Sequence, residues 1–185
     1  IQEAIDAAKT GGCEELVIMH CVSGYPAPAC DYNLRTLVDM QKQFGLVVGL
    51  SDHTIDNTMA IASVALGATI IEKHVTLNRN AGGPDDSFSL ESKELKELCT
   101  GAKTAWEGLG KIDYGLKSSE YSNIKFRRSL YCIKDIKKGD VITKEHIKSI
   151  RPGFGLAPKY LDKVLSSRAT CDIVRGTPIL LEFIS

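Results

Sequence analysis

Residues 46–75 read LVVGLSDHTIDNTMAIASVALGATIIEKHV. The stretch opens on the apolar run Leu46-Val47-Val48-Gly49-Leu50, the length and type of a buried strand. Ser51-Asp52-His53-Thr54 closes it with polar residues. An Ala-rich segment over about Asn57–Leu66 has helical length and stops near Gly67. Thr69-Ile70-Ile71-Glu72-Lys73-His74-Val75 is a second apolar run. Strand, helix and strand joined by short turns predict two parallel strands with a crossover helix between them.

The same grammar extends outward. Upstream, Leu16-Val17-Ile18-Met19-His20-Cys21 reads as a strand, and Ser23-Gly24-Tyr25-Pro26-Ala27-Pro28 as a loop. Leu34, Leu37, Val38 and Phe44 recur at helical spacing before the stop at Gly45. Downstream, a loop carries Ala81-Gly82-Gly83-Pro84-Asp85, and a last helix sets Leu95, Leu98, Ala102 and Trp106 on one face. Strands this apolar predict a parallel sheet covered on both faces. A closed (β/α)₈ barrel takes about 250 residues, so three βα units cannot close one. The unit is either a small open α/β sheet or the last three-eighths of a barrel. The opening Ile1-Gln2-Glu3-Ala4-Ile5-Asp6-Ala7-Ala8-Lys9 reads as mid-helix, without a preceding strand, an initiator Met or a signal-peptide pattern. That favours the barrel and predicts a fragment of a longer protein.

Residues 111–124 are polar and read as a linker, which ends the α/β part at 1–110. From Lys125 the pattern changes. Ser129-Leu130-Tyr131-Cys132-Ile133 is strand-like, Lys137-Lys138-Gly139-Asp140 is a turn before Val141-Ile142, and Arg151-Pro152-Gly153-Phe154-Gly155 is a glycine-rich loop. Thr177-Pro178-Ile179-Leu180-Leu181 reads as a last strand. Residues 125–185 are therefore expected to form a small, mostly-β domain.

Composition narrows the function. The 185 residues carry 23 Lys+Arg and 23 Asp+Glu, a formal charge of zero. The zero is a cancellation: 9 basic and 16 acidic residues up to Gly115 give −7, and 14 basic and 7 acidic from Leu116 give +7. No apolar run approaches the roughly 18 residues of a membrane span. Zero net charge argues against a nucleic-acid binder, whose phosphate contacts need surplus Lys and Arg. The six scattered cysteines lack a C-x-x-C pair and predict reduced thiols in the cytoplasm.

Parallel α/β folds bind ligands beyond the carboxyl ends of their strands. Polar residues collect there: Ser23 and Tyr25 after the first strand, Ser51 and His53 after the second, Glu72 and His74 in the third. Period-two alternation sets Ser51 with His53, and Ile70 with Glu72 and His74. Two imidazoles at neighbouring strand ends suit a divalent metal with open positions. The alternative is that each histidine donates a hydrogen bond in the core, and that Glu72 pairs with an absent segment. His20 reads as such a core histidine, and His146 as solvated. Gly83-Pro84-Asp85-Asp86 is a rigid turn that presents carboxylates near His74, or an ordinary loop. Arg151 is either solvated or aimed by Pro152 at an anionic or carbonyl-bearing ligand.

Gly49-Leu50-Ser51-Asp52-His53-Thr54, Glu72-Lys73-His74-Val75-Thr76-Leu77, Gly83-Pro84-Asp85, Tyr25-Pro26-Ala27-Pro28 and Arg151-Pro152-Gly153 together resemble the nonulosonic (sialic) acid synthase family. The resemblance runs through all 185 residues in order, and residues 81–90 look more like its pseudaminic acid synthases than its N-acetylneuraminate synthases. It implies the C-terminal portion of a (β/α)₈ TIM barrel followed by an SAF, or antifreeze-like, domain. It also implies condensation of phosphoenolpyruvate with an open-chain acylated amino-sugar, giving a nine-carbon keto acid and phosphate. By that resemblance His53 and His74 hold Mn²⁺ or Mg²⁺, and Glu72 sits at the reacting centre beside the carbonyl or its attacking water. Ser23 and Ser51 contact phosphoenolpyruvate; Ser23 stands where some relatives carry asparagine. Tyr25 and Asp85 hold sugar hydroxyls. Arg151 reaches the sugar of the partner chain in a domain-swapped homodimer. The family's phosphoenolpyruvate lysines belong to earlier strands, so residues 1–185 alone are expected to be inactive. The rival readings are an N-acetylneuraminate synthase or spore-coat polysaccharide synthase of the same family, a carbohydrate- or ice-binding module without catalysis, and a metal-dependent aldolase that needs neither Arg151 nor phosphoenolpyruvate.

Overall fold

The computed structural model describes residues 1–185 and divides into two compact units, Ile1–Ile112 and Asp113–Ser185. The chain is mixed α/β. In the first unit, helix α1 (Gln2–Thr10) precedes strand β1 (Val17–Cys21), followed by α2 (Thr36–Phe44), β2 (Val47–Asp52), α3 (Thr58–Ala65), β3 (Ile70–Lys73) and α4 (Ser92–Leu109). The strands form one parallel sheet in the order β1-β2-β3.

Register decides what each face carries. The pairs Ile18↔Val48 and Leu50↔Ile71 put one parity of residues on one face. Val48 packs with Leu37 and Met40 of α2, and Ile71 with Ala60 of α3 and Leu98 of α4. The opposite parity, Val17↔Val47, Met19↔Gly49↔Ile70 and Cys21↔Ser51↔Glu72, lines the other face. There Val17, Val47 and Ile70 are 37%, 48% and 42% exposed. The expectation of two covered faces is thus corrected: the crossover helices share one hand and lie on the same side. Leu37 and Met40 bring the apolar side of α2 to the sheet, and Gly45 ends that helix in the left-handed conformation (φ 62°). The α4 stripe is only partly buried, since Leu98 is in the core while Trp106 is 66% exposed.

In the second unit, β4 (Ser129–Cys132) pairs antiparallel with β5 (Ile147–Ile150). Isolated bridges such as Ile136↔Ile173 and Ala169↔Ile184 extend the pairing. A short helix α5 (Leu161–Leu165) completes it. Its core gathers Leu130, Cys132, Ile136, Ile142, Ile147, Val164, Ala169, Ile173 and Ile179. Burial pushes the Cys132 thiol above its ordinary range, so it serves as a small apolar core residue. The expected last strand at 177–181 is not one: Pro178 makes a single bridge to Tyr131, and Leu181–Phe183 is a 3₁₀ turn. The Leu130 amide donates to the Leu156 carbonyl and the Thr177 amide to the Val174 carbonyl, so the groups that would extend the bridge into a ladder are taken elsewhere. Ser118–Phe126, within and beyond the polar 111–124 stretch, is also 3₁₀-helical.

The Arg151-Pro152-Gly153-Phe154-Gly155 loop is pinned from below. Ser129 Oγ donates to the Pro152 carbonyl at 2.8 Å and accepts from the Gly155 amide at 3.0 Å. A Cβ on Gly155 would lie 2.6 Å from the Leu130 carbonyl and 3.0 Å from the Ile179 amide nitrogen. Gly155→Ala is therefore expected to cost about 1–3 kcal/mol as an overpacking change, because backbone must move to admit the methyl. Thermal melting should show it as a lowered transition of the Asp113–Ser185 unit.

Candidate functional site

The carboxyl ends of β2 and β3 carry the polar residues singled out in the sequence. His53 follows β2 directly, and its surroundings fix it on three sides. Its amide donates to the Tyr32 hydroxyl at 2.6 Å, its carbonyl accepts from Ala27 at 3.0 Å, and its Nδ1 lies 2.8 Å from the Val22 carbonyl. A carbonyl can only accept, so Nδ1 carries a proton, and in the neutral imidazole the lone pair is then on Nε2. Burial, first, holds the Tyr32 phenol above its ordinary value, which keeps it protonated at neutral pH. His20 donates to the Tyr32 carbonyl, the core role read for it. His146 accepts from the Thr143 amide at 3.1 Å in the other unit.

His74 follows β3, with its ring centroid 5.2 Å from that of His53. Its Nδ1 lies 3.5 Å from Asp85 Oδ2. Tyr25, half-exposed, stands over His53 with centroids 4.3 Å apart and meets His74 at 5.9 Å. Phe88, buried, closes the cluster 5.2 Å from His74. On the open sheet face Ser51 Oγ donates to Glu72 Oε1 at 2.7 Å, an immediate consequence of their register. Cys21 stands beside Ser51 in the same row.

The structure therefore brings together His53, His74, Tyr25 and Asp85 as one cluster, and Ser51 with Glu72 as an adjacent pair. Ser23 is exposed in the loop two residues after β1. Arg151 is exposed in the second unit, directly after β5. The His53 and His74 rings, expected from the sequence as a pair of metal ligands, meet edge to face with centroids 5.2 Å apart. No group of three or more metal-ligating side chains converges.

Three contributors went unnoticed in the sequence. Phe88 walls the cluster, Tyr32 holds the His53 backbone, and Lys73 is buried against Asp52 at 2.8 Å, with side chains 3% and 0% exposed. Alternation carried the signal for the last. If Ser51 and Glu72 share one face, then Asp52 and Lys73 share the other, where an unpaired charge is costly.

The model of the NeuB family matches residues 1–114, and that of the SAF domain residues 127–185. Pseudaminic acid synthase of Campylobacter jejuni subsp. jejuni serotype O:23/36 is 39% identical over 162 residues, which cover 88% of this chain and 47% of that protein. N,N'-diacetyllegionaminic acid synthase of C. jejuni subsp. jejuni serotype O:2 is 38% identical over 173 residues, covering 92% and 52%. The crystal structure of spore coat polysaccharide biosynthesis protein spsE from Bacillus subtilis is similar with a TM-score of 0.55 and 32% identity, covering 100% of this chain and 57% of that one. N-acetylneuraminic acid (sialic acid) synthetase from Leptospira borgpetersenii, in complex with citrate, gives 0.59 and 33%, over 69% and 44%. The chain spans about half the length of the curated relatives it matches.

Proposed function

The chain belongs to the NeuB family, and on that premise we propose that it is part of a phosphoenolpyruvate-dependent nonulosonic acid synthase of the pseudaminic acid type. The observation that carries the reading is the cluster of His53, His74, Tyr25 and Asp85 beside the Ser51–Glu72 pair, at the carboxyl ends of parallel strands. A binding module without catalysis has no use for a carboxylate held by a serine next to two imidazoles. The reaction joins phosphoenolpyruvate to the aldehyde carbon of an open-chain acylated amino-sugar. One carbon–carbon bond forms, water adds at C2 of the former phosphoenolpyruvate, and the C2–O bond to phosphate breaks, releasing free phosphate and the nine-carbon keto acid.

In this reading the Ile1–Ile112 unit is the C-terminal portion of a (β/α)₈ barrel. Helices on one face of the sheet and an open face bearing Ser51 and Glu72 support it. His53 and His74 would hold Mn²⁺ or Mg²⁺, which supplies Lewis-acid polarisation of the sugar carbonyl when bound. Ser51 orients Glu72 at the reacting centre. Ser23 and Ser51 contact phosphoenolpyruvate, while Tyr25 and Asp85 hold sugar hydroxyls. Arg151 serves the partner's site in a domain-swapped homodimer, and the opposite charges of the two parts of the chain favour such docking. The full-length protein is the active species, working in the cytoplasm. Six unpaired cysteines suit that compartment.

The test is phosphate release from phosphoenolpyruvate by the full-length protein over a panel of acylated amino-sugars, after chelation and after Mn²⁺ or Mg²⁺ is restored. Sugar-dependent release that chelation abolishes is expected, with the pseudaminic-type acceptor fastest. No release with any sugar would overturn the synthase reading, and release indifferent to chelation would overturn the metal.

A further inference from the structure

Asp85 and Phe88 sit on a long segment between β3 and α4, and something must hold that segment against His74. Its two ends are zipped together: Leu90 donates to the His74 carbonyl and Thr76 to the Leu90 carbonyl, both at 2.9 Å. Between these ends one cation reaches inward. The Arg79 amide donates to Glu91 Oε1 at 3.0 Å, Nε donates to the Ser89 carbonyl at 2.8 Å, and Nη2 pairs with Glu94 Oε2. That same Glu94 oxygen accepts from the Glu91 amide at 2.9 Å, the capping box at the start of α4. The Glu91 amide, and after it the Arg79 guanidinium, hold the Glu94 carboxyl below its ordinary range. From Ser89 the chain of contacts runs on: its hydroxyl donates to the Asp85 carbonyl at 2.7 Å.

We propose that Arg79 is a positioning residue, a clasp that sets Asp85 and Phe88 against His74 and thereby tunes affinity for the sugar acceptor. The proposal rests on the reading of Asp85 as a sugar contact. Arg79 itself points at the α4 cap, away from the reacting atoms. Its guanidinium is planar and spans two acceptors at once, the Ser89 carbonyl and the Glu94 carboxylate. A lysine keeps the charge but lacks the planar fork that sets Nε on one acceptor and Nη2 on the other, so it should restore part of the effect and no more. The Ser51–Glu72 pair lies on the sheet itself, outside this loop, so the chemical step and phosphoenolpyruvate binding should not depend on the clasp.

Steady-state kinetics of the full-length protein provide the test, using the fastest acceptor of the sugar panel as probe. Arg79→Ala should raise the acceptor KM about tenfold, the scale of one lost positioned contact, with kcat and the phosphoenolpyruvate KM changed less than about twofold. Arg79→Lys should recover part of it. Ser89→Ala cuts only the link to Asp85 and should raise the same KM by about threefold, which keeps the idea testable if Arg79→Ala fails to fold. Asp85→Ala is the control. An acceptor KM untouched by Asp85→Ala overturns the sugar assignment and the clasp with it. A KM raised by Asp85→Ala but by neither Arg79→Ala nor Ser89→Ala overturns the clasp alone. A fall in kcat that tracks lost stability, with the acceptor KM unchanged, reduces Arg79 to a structural brace and also overturns it.

Discussion

Lys73→Met is expected to destabilise the Ile1–Ile112 unit by about 3–5 kcal/mol, because it strands a buried carboxylate. The Lys73 ammonium bonds Asp52 Oδ2 at 2.8 Å, the Thr54 carbonyl at 2.6 Å and the Asp56 carbonyl at 2.6 Å. Methionine fills much of the same volume and answers none of these acceptors. Asp52 would keep the Thr54 amide, at 2.9 Å, but lose its one cationic partner. The ion pair itself is a weak source of net stability, since both charges were desolvated to make it. The asymmetry between pair and orphan is what makes the effect large. Lys73→Met combined with Asp52→Leu should therefore cost much less than the two single changes added. Guanidinium unfolding of residues 1–185 would read this as a shifted transition for the first unit, with that of Asp113–Ser185 unmoved. A shift below about 1 kcal/mol would mean that Asp52 escapes to water, contrary to its burial. The same contacts bracket His53, held between Asp52 and Thr54, so the strut also bears on the site.

The local grammar of the first unit was legible because its strands are short apolar runs and its helices end at glycines or polar turns. The parallel order follows from helices too long to be hairpin loops, and the strand-end position of His53 and His74 follows from the topology. Which face stayed open was not legible. Val47 and Val48 are equally apolar, yet Val47 is 48% exposed and Val48 is 1% exposed, because helices cover only one parity. Composition says how much apolar surface a strand has, and pairing decides which part of it is covered. The second unit was harder for another reason. Its pairing runs largely through single bridges, such as Val141↔Arg168, which leave no periodic trace in sequence. Tyr32 and Phe88 escaped because each contributes through contacts across the fold, such as that of Tyr32 to the His53 amide 21 residues away. Such contacts have no spacing rule.

Glu72→Gln in the full-length protein should lower kcat about 10²–10⁴-fold while leaving the fold intact. The carboxamide is nearly isosteric with the carboxylate and still offers an oxygen to the Ser51 hydroxyl, now 2.7 Å away. The Ser51↔Glu72 register, and with it the direction of the side chain, should survive. What disappears is the negative charge and the capacity to take or give a proton. If Glu72 serves the carbonyl or its attacking water, that loss falls on the chemical step, and KM for either substrate should change little. Glu72→Asp keeps the charge but withdraws it by one methylene, which breaks the Ser51 contact. It should fall between wild type and Glu72→Gln, because a misplaced base retains part of its function. Ser51→Ala frees the carboxylate without removing it, so its loss should be smaller than that of Glu72→Gln. The ordering separates a base held in place from a carboxylate that merely balances charge. A charge-balancing Glu72 would leave the kcat of Glu72→Asp and Ser51→Ala near wild type and depress Glu72→Gln only through weaker binding, with KM rising and kcat preserved.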